Sequence, residues 1–161
     1  MTPELDILKQ ACHIARQESH DPRTHVGAIL VSRRGIPVYA ANQLPPGVFR
    51  TLSRLEPPRK YKYMEHAERA AIYAAAAAGI CTHGAILYAP WFSCADCARG
   101  IICAGIKEVV GLASLRAATP ERWERDIAMA EQMMNEAGIA TRWLAGTVGE
   151  TIRFDDRDIS V

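Results

Sequence analysis

The sequence predicts an α/β fold in which helices cover both faces of a largely parallel sheet. Three observations carry that reading. Two short runs rich in β-branched residues flank Arg33-Arg34-Gly35 and read as a hairpin. After it, helix-forming and apolar segments alternate in the order α, β, α, β, α, β, which implies right-handed crossovers and parallel neighbours beyond the first strands. Finally, 161 residues, 49% of them hydrophobic, suffice for one domain spanning 1–161 with a sizeable core. In such sheets ligands gather beyond the carboxyl ends of the strands, where helices begin.

Taken in order, Thr2-Pro3-Glu4 is a helix start: a hydroxyl cap, a proline where its missing N–H does no harm, and an acid in the first turn. Leu5, Leu8, Cys12 and Ala15 follow at helical spacing, so the helix extends to about Glu18 with Cys12 on its buried face. Val26–Val31 and Ile36–Ala41 are the hairpin strands, and Pro37 puts its strand at an edge or at a strand start. Residues 42–63 lose all periodicity and read as a long loop. That loop carries Arg50, Arg54, Arg59, Lys60 and Lys62 against the single acid Glu56, as a solvated surface or as a cationic rim for an anionic substrate or a neighbouring subunit.

His66 opens a strongly helical, alanine-rich segment stopped by Gly79. Ala85–Ala89 is a strand ended by Pro90, residues 94–104 a helix, and Lys107–Leu112 a strand. Thr119-Pro120-Glu121 repeats the first helix-start pattern and opens a long helix to about Ala137, before a final strand over residues 139–144. The tail, 145–161, carries one candidate strand, Thr151–Phe154.

The formal net charge is +1, so there is no global excess to hold a nucleic-acid backbone, and nucleic acid is not an expected partner. No run is long enough to span a membrane, and the first ten residues hold no secretory apolar core; the expected compartment is the cytoplasm. Five cysteines without a secretory signal argue for metal or core thiols rather than a disulfide framework.

Two stretches concentrate the chemistry: His66-Ala67-Glu68 and Cys94-Ala95-Asp96-Cys97. Three residues apart on one helical turn, Cys94 and Cys97 can direct both sulfurs at one point, and a helix amino terminus favours the thiolate that binds metal. With His66 they make three ligands, which leaves a fourth zinc position open. Glu68 can border that position if His66 sits at the helix edge. Alone, Cys-x-x-Cys also fits a redox dithiol or half of a structural zinc knuckle. His-x-Glu followed after a strand by Cys-x-x-Cys, each at a helix start, is the far more specific pattern of zinc-dependent base deaminases. His13, His20, His25 and His83 lack a ligand-spaced partner and read as ordinary polar residues. Trp91 and Phe92 read equally as base-stacking or core side chains.

From Val26 to Val110 the sequence resembles the cytidine deaminase superfamily, nearest its deoxycytidylate (dCMP) deaminase branch. The stretches that carry the resemblance are Val26–Val31, Asn42–Val48, Glu65–Ile72 and Cys94–Ile102. It implies a three-layer α-β-α sandwich around a mixed five-stranded sheet, with zinc on His66, Cys94 and Cys97 and Glu68 as the proton shuttle. It also implies substrate contacts from Asn42 and the Ala67 N–H and a homo-oligomer, dimer or hexamer; Trp91 is a further candidate contact from its position just before Cys94. The expected reaction is hydrolytic deamination of a cytosine nucleotide, dCMP to dUMP first. A nucleoside, a free base such as cytosine or guanine, or another amino-heterocycle is the alternative substrate; a structural-zinc interaction module is the alternative class. Ser93, where the family usually has Pro, and Ala70, where it usually has Asn, depart from the pattern beside the substrate pocket.

Overall fold

The computed structural model describes residues 2–161. Helix α1 (Pro3–Glu18) starts as its sequence dictates: Thr2 occupies the cap, and its hydroxyl accepts the Leu5 N–H at 3.4 Å. Its buried stripe of Leu8, Ala11, Cys12 and Ala15 lies against β1 (Gly27–Val31). The approach is so close that a Cβ on Gly27 would collide with the Ala11 carbonyl oxygen. β1 pairs antiparallel with β2 (Pro37–Ala41), which is the sheet edge, where a strand proline is tolerated.

The stretch read as a structureless loop contains two helices of four residues each, α2 (Leu52–Leu55) and α3 (Lys60–Tyr63). A single turn is too short for a hydrophobic period to register. Helix α4 (Ala67–Ala77) follows with His66 at its cap position. Its small residues Ala71 and Ala75, both fully buried, allow it to lie close on β1 and β2. With α1 on one face of β1 and α4 on the other, Gly27 to Leu30 are all buried.

β3 (Ile86–Tyr88) pairs antiparallel with β1 and parallel with β4 (Glu108–Leu112), and β4 pairs parallel with β5 (Ala140–Leu144). The result is a mixed five-stranded sheet in the order β2-β1-β3-β4-β5. Helix α5 (Ala95–Cys103) makes the β3-to-β4 crossover, and α6 (Ala113–Ala117) and α7 (Glu121–Glu136) make the next. Leu8, Ile29, Leu30, Leu87, Ile101 and Leu112 form the dry centre.

Two local expectations are corrected. Helix α7 is capped at Pro120 rather than by Thr119, whose hydroxyl instead donates to the Leu115 carbonyl at 3.3 Å and closes the unforeseen α6. The tail is a hairpin, with β6 (Thr151–Phe154) antiparallel to β7 (Arg157–Ser160) and separate from the main sheet. Its turn holds Asp155 and Asp156 at φ 49° and 64°, a region aspartate tolerates better than most residues. The hairpin is tied to the loop before β1 by the His25 N–H to the Arg153 carbonyl (2.8 Å) and the Asp156 N–H to the Arg23 carbonyl (3.0 Å). Among the described residues no helix is long and apolar enough to cross a membrane.

Candidate active site

The amino termini of α4 and α5 converge, and their cap residues are His66 and Cys94. His66 Nδ1 lies 3.3 Å from Cys94 Sγ and 3.5 Å from Cys97 Sγ, and all three donor atoms lie within 4.8 Å of one another. Tetrahedral zinc, with bonds of about 2.3 Å to sulfur and about 2.05 Å to nitrogen, sets its nitrogen and sulfur ligands about 3.6 Å apart. The donor set and its spacing therefore fit zinc. It is the only group of three or more His, Cys, Asp or Glu so placed among the described residues.

Electrostatics prepare the same donors. The Cys97 thiol donates to Cys94 and, with His66, holds Cys94 down to about 4 against the opposing effect of burial, so Cys94 is a thiolate. Cys97 is correspondingly pushed up by its bond to Cys94 and by burial, and His66 is raised chiefly by its hydrogen bond with Cys94. Arg69 aims its guanidinium at Cys97 Sγ (3.9 Å) and is fixed by Glu65 at 2.7 Å. Asp126 of α7 accepts the Ala95 N–H at 2.9 Å. No local spacing pointed to Asp126, because its contact crosses from another helix.

Glu68, 4% exposed, is in the first turn of α4 beside His66. Burial pushes its carboxyl above the usual range; the His66 charge and the nearby Ser93 hydroxyl work against that rise. Ser93 itself is fully buried, and its Oγ is outside strict hydrogen-bonding geometry with any group among the described residues.

His66, Glu68 and Cys94 line a cavity of about 740 Å³. Asn42 also lines it, but its polar atoms are engaged: Oδ1 accepts the Ser19 hydroxyl (2.7 Å) and the Val26 N–H (2.9 Å), and Nδ2 donates to the Thr24 carbonyl (2.8 Å). Only a weak 3.8 Å contact to the Met64 sulfur occupies its other N–H direction. Ala67 is fully buried and is the first helical residue of α4, where backbone N–H groups have no intrahelical acceptor. Trp91 lines the cavity with one ring face stacked on Phe154, centroids 4.3 Å apart. Phe92 lies against Trp143 at 5.0 Å.

Of the five cations expected as a rim, only Lys60 lines this cavity, and its Nζ is 2.8 Å from Asp21. Sequence reasoning missed the wall supplied by Trp123, Ile127, Phe154 and Ile159, which lie far along the chain from the motifs. His20 is the ordinary polar residue expected, with Nδ1 accepting the Leu44 N–H at 3.1 Å.

Residues 1–113 match the family model of the cytidine and deoxycytidylate deaminase zinc-binding region. The chain belongs to that family and is a zinc-dependent deaminase, a hydrolase. It is 30% identical over 142 residues to an uncharacterized deaminase in the luxG 3' region of Aliivibrio fischeri, a match covering 84% of this chain and 89% of that one. It is 34% identical over 106 residues to deoxycytidylate deaminase of Mus musculus, covering 60% of this chain. That match spans 57% of the mouse enzyme, little more than half its length. Among solved structures, dCMP deaminase from the cyanophage S-TIM5, crystallised with dCMP and dUMP, shares the fold with a TM-score of 0.65 at 23% identity, over 89% of this chain and 99% of that one.

Proposed function

We propose that the protein hydrolyses the exocyclic amine of a cytosine nucleotide, dCMP first, to give the uracil nucleotide and ammonia. The observation that carries this reading is a buried carboxyl, Glu68, beside three zinc-ligand side chains on the wall of a substrate-sized cavity. The mouse relative, a deoxycytidylate deaminase, supports the choice of nucleotide.

Zinc held by His66, Cys94 and Cys97 supplies Lewis-acid activation of water at neutral pH. Glu68, whose proton affinity burial raises, takes one proton from the attacking water and delivers it to ring N3, then takes the second from the oxygen added at C4 and delivers it to the departing amine. The aromatic wall of Trp91, Phe92 and Phe154 shields the ring from bulk water on that side. The Ala67 N–H donates to the pyrimidine carbonyl. Asn42 Nδ2 offers the sugar the N–H now directed at the Met64 sulfur, while its other three bonds fix its position. The net reaction exchanges the C4–N bond for a C4–O bond, with water consumed and ammonia released.

A second reading keeps the reaction and removes the phosphate: a nucleoside or free amino-heterocycle. It is favoured by the apolar wall of Trp91, Trp123, Ile127 and Ile159 and by the pairing of Lys60 with Asp21. Exposed Phe49, Leu52 and Tyr61 on the segment between β2 and α4 support the expected homo-oligomer, for which size-exclusion mass is the check. The decisive experiment is ammonia release by the zinc-loaded protein with dCMP, CMP, deoxycytidine, cytosine, adenosine and guanine in parallel. Selective turnover of dCMP upholds the first reading, turnover of CMP alone keeps the nucleotide and changes the sugar, and turnover only of amines that lack a phosphate rejects it in favour of the second.

A further inference from the structure

Most cations that line the cavity are already matched. Lys60 is 2.8 Å from Asp21, Arg23 is 2.8 Å from Asp156, and Arg122 is paired with Asp155. Arg157 differs. It lines the same cavity, yet among the described residues no carboxylate pairs with its guanidinium, and the adjacent Asp158 is taken by Arg153 at 3.1 Å. A second group is also unmatched: Trp123 lines the cavity, and its indole Nε1–H is buried without an acceptor. Buried donors are rarely left so, and one on a cavity-lining residue calls for an acceptor.

The Arg122 to Asp155 pair joins the segments that carry the two. Trp123 follows Arg122 in the first turn of α7, and Arg157 begins β7 two residues after Asp155. The corner around that ion pair is thus lined by two residues that carry a buried N–H without an acceptor and a guanidinium without a carboxylate. Both residues lie beyond the segment, 1–113, that matches the family model.

We infer that this corner receives the anionic end of the substrate, with the Trp123 N–H donating to one oxygen and the Arg157 guanidinium to the others. The inference rests on the nucleotide reading above, under which the anion is a phosphate monoester. A guanidinium suits it, since its planar fork matches two phosphate oxygens at once. The basic segment before α4 then has no part in phosphate recognition. There, Arg54 lies over the Tyr63 ring at 4.9 Å and donates to the Phe49 carbonyl at 2.9 Å, and Lys60 is held by Asp21.

The test is the ratio of kcat/KM for dCMP to that for deoxycytidine, measured on the zinc-loaded full chain and on Arg157→Gln, Trp123→Phe and Arg54→Gln. The ratio is insensitive to partial misfolding, which removes both activities together. Wild type is expected to prefer dCMP. Arg157→Gln should lower the ratio about tenfold or more through KM, the loss expected for a charge-assisted hydrogen bond, and Trp123→Phe about two- to tenfold. Arg54→Gln should keep the wild-type ratio. Quenching of tryptophan fluorescence by dUMP against deoxyuridine reads the same preference without turnover. A wild type that prefers dCMP together with an Arg157→Gln variant that keeps the full preference overturns the corner and leaves the nucleotide reading standing. A wild type that treats the two substrates alike overturns the nucleotide reading itself.

Discussion

Asp126 accepts a hydrogen bond from the backbone N–H of Ala95 at 2.9 Å, so a carboxylate on α7 caps α5 from 31 positions away. Cys94 occupies the cap position but makes no side-chain cap bond, because its sulfur is turned to the metal-ligand cluster. Asp126→Ala should lower stability by about 1 kcal/mol, the usual worth of a cap, and weaken zinc retention in chelator competition. Asp126→Asn keeps an acceptor and should fall between the two.

Glu68→Gln separates the ligands from the proton carrier. Its zinc content by atomic absorption should match wild type, while ammonia release falls by about 10²–10⁴-fold, the usual contribution of a placed general acid–base. A variant with the wild-type rate would remove Glu68 from the mechanism.

Cys97→Ser replaces a sulfur 3.5 Å from His66 Nδ1 with a hydroxyl that binds zinc poorly at neutral pH. Zinc per chain should drop to a small fraction of the wild-type value after dialysis. Undiminished zinc in that variant would exclude Cys97 as a ligand.

Burial pushes the Cys12 thiol from its ordinary value of 9.0 up to about 12. Above pH 9.0 the unfolded chain loses this proton while the folded chain keeps it, so the folded state binds more protons and stability declines as pH rises toward about 12. Denaturant melts taken from pH 8 to about 10.5 should show that decline, and Cys12→Ala should flatten it. In thiol titration of the native protein, exposed Cys81 and Cys103 should react while Cys12 stays protected.

Gly27→Ala tests the contact between α1 and β1. The new methyl group meets the Ala11 carbonyl oxygen, a backbone atom that cannot rotate away. A loss of about 1–3 kcal/mol or more is expected in denaturant midpoint, as for other overpacked cores, with zinc content little changed.

The main elements were legible because each carries a signal within its own window. Thr2-Pro3-Glu4 marks the start of α1, Pro37 marks an edge strand, and the alanine run with Gly79 marks α4 and its stop. The cluster that fits zinc was legible for the same reason, since His66, Cys94 and Cys97 stand at helix starts. Helices α2, α3 and α6 were not, because four or five residues complete too little of a hydrophobic period. β7 is mostly exposed and polar, and its turn uses two aspartates where a glycine would have signalled a hairpin. The contacts of Asp126 and the Trp91–Phe154 stack join residues with no common local pattern, so only the folded chain brings them together.

The cavity is assembled from two unequal stretches. His66, Glu68 and Cys94 stand in the first, while Trp123, Ile127, Phe154 and Ile159 come from the last third of the chain. Much of the wall is thus encoded apart from the ligand motifs, although Asn42 and Trp91 of the first stretch also line it and Asp126 of the second caps α5. Substitutions at Trp123, Ile127, Phe154 or Ile159 reshape that wall without replacing His66, Glu68, Cys94 or Cys97, a route by which descendants of one ancestor can keep a common reaction and part company over the molecules they consume.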